Sequence, residues 1–151
     1  MKKMHYLLLL TLAFTTFQSF TLPEWEVSEI MQAIMDLEDL EQVWDKDEAG
    51  NITTPIYLVA HDHFPETPKF SIGGQQIKII SPEAASQLEK NTPYIEVTDF
   101  KVKKGKKARL EFTYKKTTVK VNMRKQEGNW VHRTLSIIGK GKVHKSLDWT
   151  F

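Results

Sequence analysis

Residues 94–138 decide the fold of this chain, and they read YIEVTDFKVKKGKKARLEFTYKKTTVKVNMRKQEGNWVHRTLSII. Apolar and polar side chains alternate one by one from Ala108 to Tyr114, and they alternate again from Val119 to Arg124. Successive side chains of a strand point to opposite faces, so this period of two is typical of an antiparallel sheet with one buried and one solvated face. The stretch therefore predicts four consecutive strands, a β-meander.

Three short turns fit between these strands. Three-residue hairpin loops favour Gly at their third position, which predicts turns at Lys103-Lys104-Gly105 and at Gln126-Glu127-Gly128, with Lys116-Thr117 as a two-residue turn between them. The register that follows from these turns pairs Thr98 with Leu110, Leu110 with Met123, and Met123 with Val131, and it pairs Tyr94 with Tyr114, Tyr114 with Val119, and Val119 with Leu135.

The same register predicts the side chains of the solvated face. Its three rows are Asp99, Arg109, Arg124 and Trp130; Val97, Glu111, Asn122 and His132; and Ile95, Thr113, Lys120 and Thr134. Seven of these are candidate ligand-binding residues: Arg109, Glu111, Lys120, Asn122, Arg124, Trp130 and His132.

Two interpretations of this face stay open. In the first, Arg124 and Trp130 hold a ligand while Glu111 or His132 exchanges a proton. In the second, the face is a solvated surface with an ion pair between Asp99 and Arg109 and a cation–π contact between Arg124 and Trp130.

Length and composition bound the classes of protein that this chain can belong to. Its 151 residues support one domain, expected over residues 21–151, and the absence of cysteine excludes disulfides, thiolate metal sites and cysteine nucleophiles. Residues 21–48 carry ten acidic residues and one basic residue, whereas residues 101–145 carry fifteen Lys or Arg and two acidic residues. Such asymmetry indicates either a surface for polyanions or an acidic segment that neutralises a basic one within the fold.

Residues 1–20 resemble a secretory signal peptide. Lys2 and Lys3 supply the positive region, and residues 6–14 supply an apolar core that is short for a bilayer span. We therefore expect a secreted or periplasmic protein without a stable membrane span after cleavage, with an uncleaved membrane anchor as the alternative.

The rest of the chain predicts elements that accompany the meander. Residues 24–47 have the apolar spacing of an amphipathic helix, or of two helices with a break, and this segment is expected to cover the apolar sheet face. Residues 56–60 predict a strand, and Gly73-Gly74 predicts a hairpin over residues 70–80. Ser81 and Pro82 are typical of the start of a short helix. Residues 139–145 are expected to be a mobile basic tail.

A metal site is not predicted. His61, Asp62, His63 and Glu66 lie close together in the sequence, but no third His is near them, and Pro65 and Pro68 interrupt the stretch. No phosphate-binding loop accompanies Gly73-Gly74. We expect no metal and no cofactor.

The predicted architecture is α+β: an N-terminal amphipathic helix packed on a curved antiparallel β-meander, with an additional hairpin and a short helix. This resembles the cystatin-like or NTF2-like α+β roll of small exported proteins. The resemblance lies in residues 108–114, in Val119-Lys120-Val121, and in Gly128-Asn129-Trp130-Val131, because a Gly-x-Trp that opens the last strand is frequent in such proteins. Members of these families include enzymes and pure binding domains, so the resemblance implies a fold and no specific activity.

Three functions are compatible with these features. The first is an exported, non-catalytic domain that binds a partner protein or an anionic envelope polymer through the basic sheet face, and nucleic acid is not expected. The second is a structural or accessory envelope protein. The third is a small enzyme of the α+β roll type, in which Glu111 or His132 acts beside Arg109 and Arg124. We rank them in that order.

Overall fold

The computed structural model describes residues 22–53, 57–60, 64, 68–139 and 142–147, the last range as backbone alone. Several predicted features lie outside these residues: the signal peptide at 1–20, the cluster at 61–63, and the terminal residues 148–151.

The described residues form a mixed α+β fold dominated by strands, as the sequence predicts. The helices are α1 (Glu24–Met35) and α2 (Pro82–Ser86), with a 3-10 turn at Glu38–Gln42. The strands are β1 (Tyr57–Val59), β2 (Ser71–Ile72), β3 (Gln75–Gln76), β4 (Lys78–Ile80), β5 (Tyr94–Lys103), β6 (Lys107–Tyr114), β7 (Thr117–Gln126), β8 (Asn129–Gly139) and β9 (Lys142–Leu147).

Seven of the described strands make one sheet, in the order β4-β1-β5-β6-β7-β8-β9. Strands β5 to β9 are antiparallel neighbours, so the predicted meander is confirmed and extended by one strand. Strand β1 runs parallel to both β4 and β5. The predicted antiparallel meander contained neither of these parallel pairings.

The segment expected to be a mobile basic tail is an edge strand over Lys142–Leu147. Its pairing with β8 supplies partners for backbone N–H and C=O groups that β8 would otherwise expose at the edge of the sheet. The expectation of a mobile tail is therefore wrong for these residues.

Helix α1 ends at Met35, at the break that the sequence allows. Asp36 is its C-cap, and Leu37 has an extended backbone, with ψ of 121°. Acidic side chains are unfavourable near the negative end of a helix dipole, and Glu38 and Asp39 follow immediately. The chain therefore stops as an α-helix and resumes as a 3-10 turn.

The Gly73-Gly74 hairpin is confirmed, because it joins β2 to β3 and both glycines have positive φ. It is shorter than expected: Lys78–Ile80 leaves the hairpin and pairs with β1 in the main sheet. The Ser81 cap is also confirmed, since its hydroxyl accepts a hydrogen bond from the backbone N–H of Ala84 at 3.2 Å.

None of the three meander turns is where the sequence predicted it. The first two are shifted by one residue, and the third is one residue shorter. The observed loops are Lys104-Gly105-Lys106, Lys115-Lys116 and Glu127-Gly128, with Lys104, Lys115 and Glu127 at positive φ. The observed register pairs Phe100 with Leu110, Leu110 with Val121, and Met123 with His132.

Two β-bulges then decide which side chains face the core. One lies at Thr98 on β5, between the pairs of Val97 and Asp99. The other lies at Arg133 on β8, between the pairs of His132 and Thr134. Each bulge inserts one residue, so beyond it the side chains that would have pointed to one face of the sheet point to the other.

The core lies between α1, the segment that follows it, and one face of β5–β8, here called the inner face. Its fully buried members include Val27, Ile30, Met31 and Ile34 of α1 and Leu110, Phe112, Val119 and Val121 of the sheet. Val97 and Ile95 belong to this core. Their predicted place on the solvated face is therefore wrong, because the bulge at Thr98 turns them inward.

Candidate functional site

The opposite side of β5–β8, here called the outer face, carries most of the charged side chains of the meander. Directly paired residues share a face, and the register gives three rows across the strands. They are Lys103, Lys107 and Arg124 with Val131; Lys101, Arg109 and Asn122 with Thr134; and Asp99, Glu111 and Lys120 with Ser136.

The third row is a ladder of ion pairs. Asp99 contacts Lys101 Nζ at 2.9 Å and Arg109 Nε at 3.2 Å. Glu111 contacts Arg109 Nη2 at 3.4 Å and Lys120 Nζ at 3.1 Å. Both carboxylates are about one-fifth exposed, at 21% and 20%, and each contacts two cationic side chains. The predicted pair between Asp99 and Arg109 is confirmed.

The first two rows surround an open cleft of about 340 Å³, here called the basic cleft. Its charged lining residues are Lys101, Lys103, Lys107, Arg109, Arg124 and Arg133, and among the described residues no acidic side chain lines it. Asn122 also lines it and donates from Nδ2 to Thr134 Oγ1 at 2.7 Å.

Four of the six cations have no internal counter-ion. Within the described part of the chain, Lys103, Lys107, Arg124 and Arg133 form no ion pair and no side-chain hydrogen bond. Lys103 is directly opposite Lys107, and Lys107 is directly opposite Arg124. Like charges at directly opposed positions destabilise a sheet. The fold therefore keeps a row of cations that lowers its own stability.

This arrangement predicts that Lys107→Glu stabilises the fold. The substitution turns two repulsive cross-strand pairs into attractive ones, which is worth about 1 kcal/mol in the free energy of unfolding. Urea denaturation checks the value, with Lys107→Gln as the neutral control, for which about half the gain is expected. A lower urea midpoint for Lys107→Glu would mean that the row is not repulsive.

The structure brings five of the seven predicted residues together on the outer face. Arg109, Asn122 and Arg124 line the basic cleft, while Glu111 and Lys120 belong to the ion-pair ladder beside it.

Trp130 and His132 are not part of this group. Trp130 pairs with Lys125 and His132 pairs with buried Met123, so both belong to the inner side of β8. The predicted contact between Arg124 and Trp130 is wrong for the same reason. Of the two groups suggested for proton exchange, Glu111 lies on the outer face and His132 on the inner side of β8.

Trp130 instead belongs to a cluster at the start of α1. Lys125 Nζ lies 5.5 Å from the centroid of the Trp130 ring and 5.9 Å from that of Trp25. It also lies 3.6 Å from Glu26 Oε1, and the Glu26 side chain is 11% exposed. These contacts join the helix to the β7–β8 hairpin.

Four charged residues line the cleft but are not among the seven predicted residues: Lys101, Lys103, Lys107 and Arg133. Lys103 was assigned to a turn, and neither Arg133 nor Glu96 is in the predicted rows of the solvated face. The structure places Arg133 in the basic cleft, and Glu96 pairs with Thr113 and lines a separate outer cleft. The sequence does contain a signal of the bulges. The apolar residues change from odd to even positions along β5, and from even to odd positions along β8.

The acidic segment 24–48 does not neutralise the basic cleft. Two described ion pairs join it to the basic half of the chain, Glu26 with Lys125 and Asp45 with Lys115, and neither involves a cleft residue. Asp45 Oδ2 also accepts a hydrogen bond from the Tyr114 hydroxyl at 3.2 Å. Within the segment, Lys46 lies 2.8 Å from Glu41 and lowers the pKa of that carboxyl group.

Among the described residues, no group of three or more His, Asp or Glu side chains is placed to hold a metal ion. No helix within the same residues is long and apolar enough to cross a bilayer.

Comparisons with family models, with curated proteins and with solved structures found no match to this chain.

Proposed function

We propose that this protein is a non-catalytic binding domain that engages an anionic ligand through the basic cleft. The observation that carries the proposal is a set of four cations, Lys103, Lys107, Arg124 and Arg133, that have no ion pair in the described part of the chain. They surround a cleft that no described acidic residue lines. Close cations that have no counter-ion raise the local positive potential, and an anion that binds between them relieves their repulsion.

The composition of the cleft suits oxyanions. A guanidinium group presents planar donors that bind carboxylate or phosphate in a bidentate manner, and a Lys ammonium group acts as a compact charge. Arg124 and Arg133 supply the first kind of group, and Lys103 and Lys107 the second. An anionic envelope component fits this set of donors, and an acidic surface of a partner protein is the alternative.

We further propose that the domain is exported and belongs among the cystatin-like or NTF2-like rolls. The support for export is the pair Lys2 and Lys3 followed by the apolar residues 6–14, which is typical of a secretory signal. The support for the roll is a helix packed on an antiparallel meander with a shared core. A secreted or periplasmic location would expose the basic cleft to anionic polymers outside the cytoplasm.

The experiment is retention on phosphocellulose with elution by a salt gradient. We expect the wild-type chain to elute clearly above about 0.15 M ionic strength, where the Debye length is about 8 Å and exposed charges are largely screened. The double variant Lys107→Glu/Arg124→Glu should elute at or below that ionic strength, because it reverses two of the unpaired cations.

The matched control is Lys78→Glu/Lys90→Glu. Both residues are exposed and lie away from the basic cleft, and the two double variants have the same net charge. The control should elute close to the wild type. Equal shifts for both variants would attribute retention to net charge alone, and this would contradict the proposed site.

A further inference from the structure

The unpaired cations of the basic cleft are distributed over four neighbouring strands. Lys103 on β5, Lys107 on β6 and Arg124 on β7 are consecutive register partners, and Arg133 lies at the bulge of β8. Neighbouring strands are about 4.8 Å apart, so the set spans about 14 Å across the sheet. Side chains of a strand stand roughly perpendicular to the sheet and keep this spacing.

We call these four cations, which lie across strands β5 to β8, the band. The ion-pair ladder borders the band on one side. Asp99 and Glu111 lie in the third row and hold Lys101, Arg109 and Lys120. An anion that extended along the strands toward this row would approach two carboxylates. An anion that extends across the strands from β5 to β8 would meet the four cations and no carboxylate of the described lining residues. The charges therefore favour an elongated ligand that lies across the strands over one that runs along them toward the ladder.

We propose that the ligand of the basic cleft is a linear polyanion that lies across strands β5 to β8 and places successive oxyanions against Lys103, Lys107, Arg124 and Arg133. This inference rests on the proposed function and adds the shape and direction of the ligand. A single small oxyanion would contact neighbouring cations of the set and leave those at the far end unpaired. Phosphate and carboxylate polymers share the required chemistry.

The test measures affinity along a chain-length series of inorganic polyphosphate, from orthophosphate through tripolyphosphate to long chains, at several salt concentrations. Each contacted phosphate of a flexible chain contributes about 0.7 to the slope of log K against log salt concentration. Four contacts predict a slope near −3 for long chains, and affinity should rise at least tenfold from orthophosphate to long chains.

Variants at the two ends of the band provide the decisive comparison. Lys103→Gln and Arg133→Gln should each reduce the magnitude of the slope for long chains by about 0.7, and the double variant should lose both contributions. Lys120→Gln is the control, because Lys120 already pairs with Glu111 in the ladder. It should leave the slope unchanged.

The source of the oxyanions is distinguished by poly-glutamate at the same total charge. Tighter binding of polyphosphate would identify a phosphate polymer, and tighter binding of poly-glutamate a carboxylate polymer; either result supports the linear ligand. Binding without dependence on chain length, or a slope that is insensitive to one end of the band, would overturn the inference but leave the proposed function standing. Absence of binding to every anion would overturn the proposed function itself.

Discussion

Replacement of Trp44 by Ala is expected to lower the free energy of unfolding by about 3–5 kcal/mol. Trp44 is 6% exposed and packs on the inner face of the sheet. Its ring is stacked on that of Phe112 at 6.1 Å between centroids and meets that of Tyr114 edge-on at 5.2 Å. These contacts fasten the acidic segment that follows α1 to the centre of the meander, and Ala would leave a cavity there. Urea denaturation of the two proteins gives the difference.

Trp25→Ala is the matched control for this variant. The residue type and the substitution are the same, but Trp25 is 59% exposed. Its one ring contact is with Lys125 at 5.9 Å among the described residues, and an exposed cation–π contact is worth about 0.5–1 kcal/mol. If the two variants lost equal stability, the packing of Trp44 against Phe112 and Tyr114 would not explain its contribution.

The meander could be predicted because its alternation is strict. From Ala108 to Tyr114 on β6 every second residue is buried, and the same holds for Val119, Val121 and Met123 on β7. A slip of two residues in the pairing of β6 with β7 leaves the faces unchanged, because the period of a strand is two. The outer positions of Arg109, Glu111, Lys120, Asn122 and Arg124 were therefore predictable even though the turn between the strands was placed one residue too late.

The bulges on β5 and β8 could not be located by turn chemistry, because a bulge changes neither of the turns that bound a strand. On β5, Ile95 and Val97 are apolar at odd positions, whereas Phe100 and Val102 are apolar at even positions. All four pack on the core because Thr98 is inserted between the two pairs. A change of parity within one strand is thus the sequence signal of the bulge.

The same reasoning applies to Trp130 and His132, whose predicted place on the outer face was wrong. Trp130 at an even position and Leu135 and Ile137 at odd positions all pack on the core, and this requires an inserted residue between them. Arg133 is that residue, and its insertion adds to the cleft a fourth cation that has no ion pair among the described residues. The bulge on β8 therefore has two consequences: it moves Trp130 away from the candidate site and brings Arg133 into it.

The acidic and the basic half of the chain lie on opposite sides of the sheet. The acidic residues 24–48 occupy the solvent side of the elements that cover the inner face, where Glu29, Glu38 and Asp39 are exposed. The basic residues of β5–β8 occupy the other side of the sheet. The sheet separates the two groups, so that Glu26 with Lys125 and Asp45 with Lys115 are the ion pairs that connect them among the described residues.

Lys125→Met is expected to lower the free energy of unfolding by about 2–3 kcal/mol. Its ammonium group lies between the rings of Trp25 and Trp130 and 3.6 Å from Glu26 Oε1. Met retains most of the apolar contact, so the loss comes from the cation–π contacts and from the Glu26 carboxylate, which is 11% exposed and would lose its cation. Removal of one partner of a buried ion pair costs about 3–5 kcal/mol, and the partial exposure of Lys125, at 26%, reduces the figure here.

A double-mutant cycle with Glu26→Gln separates the two contributions. If the unpaired carboxylate dominates, Lys125→Met should cost about 1 kcal/mol in the Glu26→Gln background, since the cation–π contacts alone are then lost. An equal cost in both backgrounds would mean that Lys125 stabilises the junction of α1 with the β7–β8 hairpin through the two indole rings, and that Glu26 contributes nothing to it. The two results assign different chemistry to the contact that half-buried Lys125 makes between the acidic helix and the basic meander.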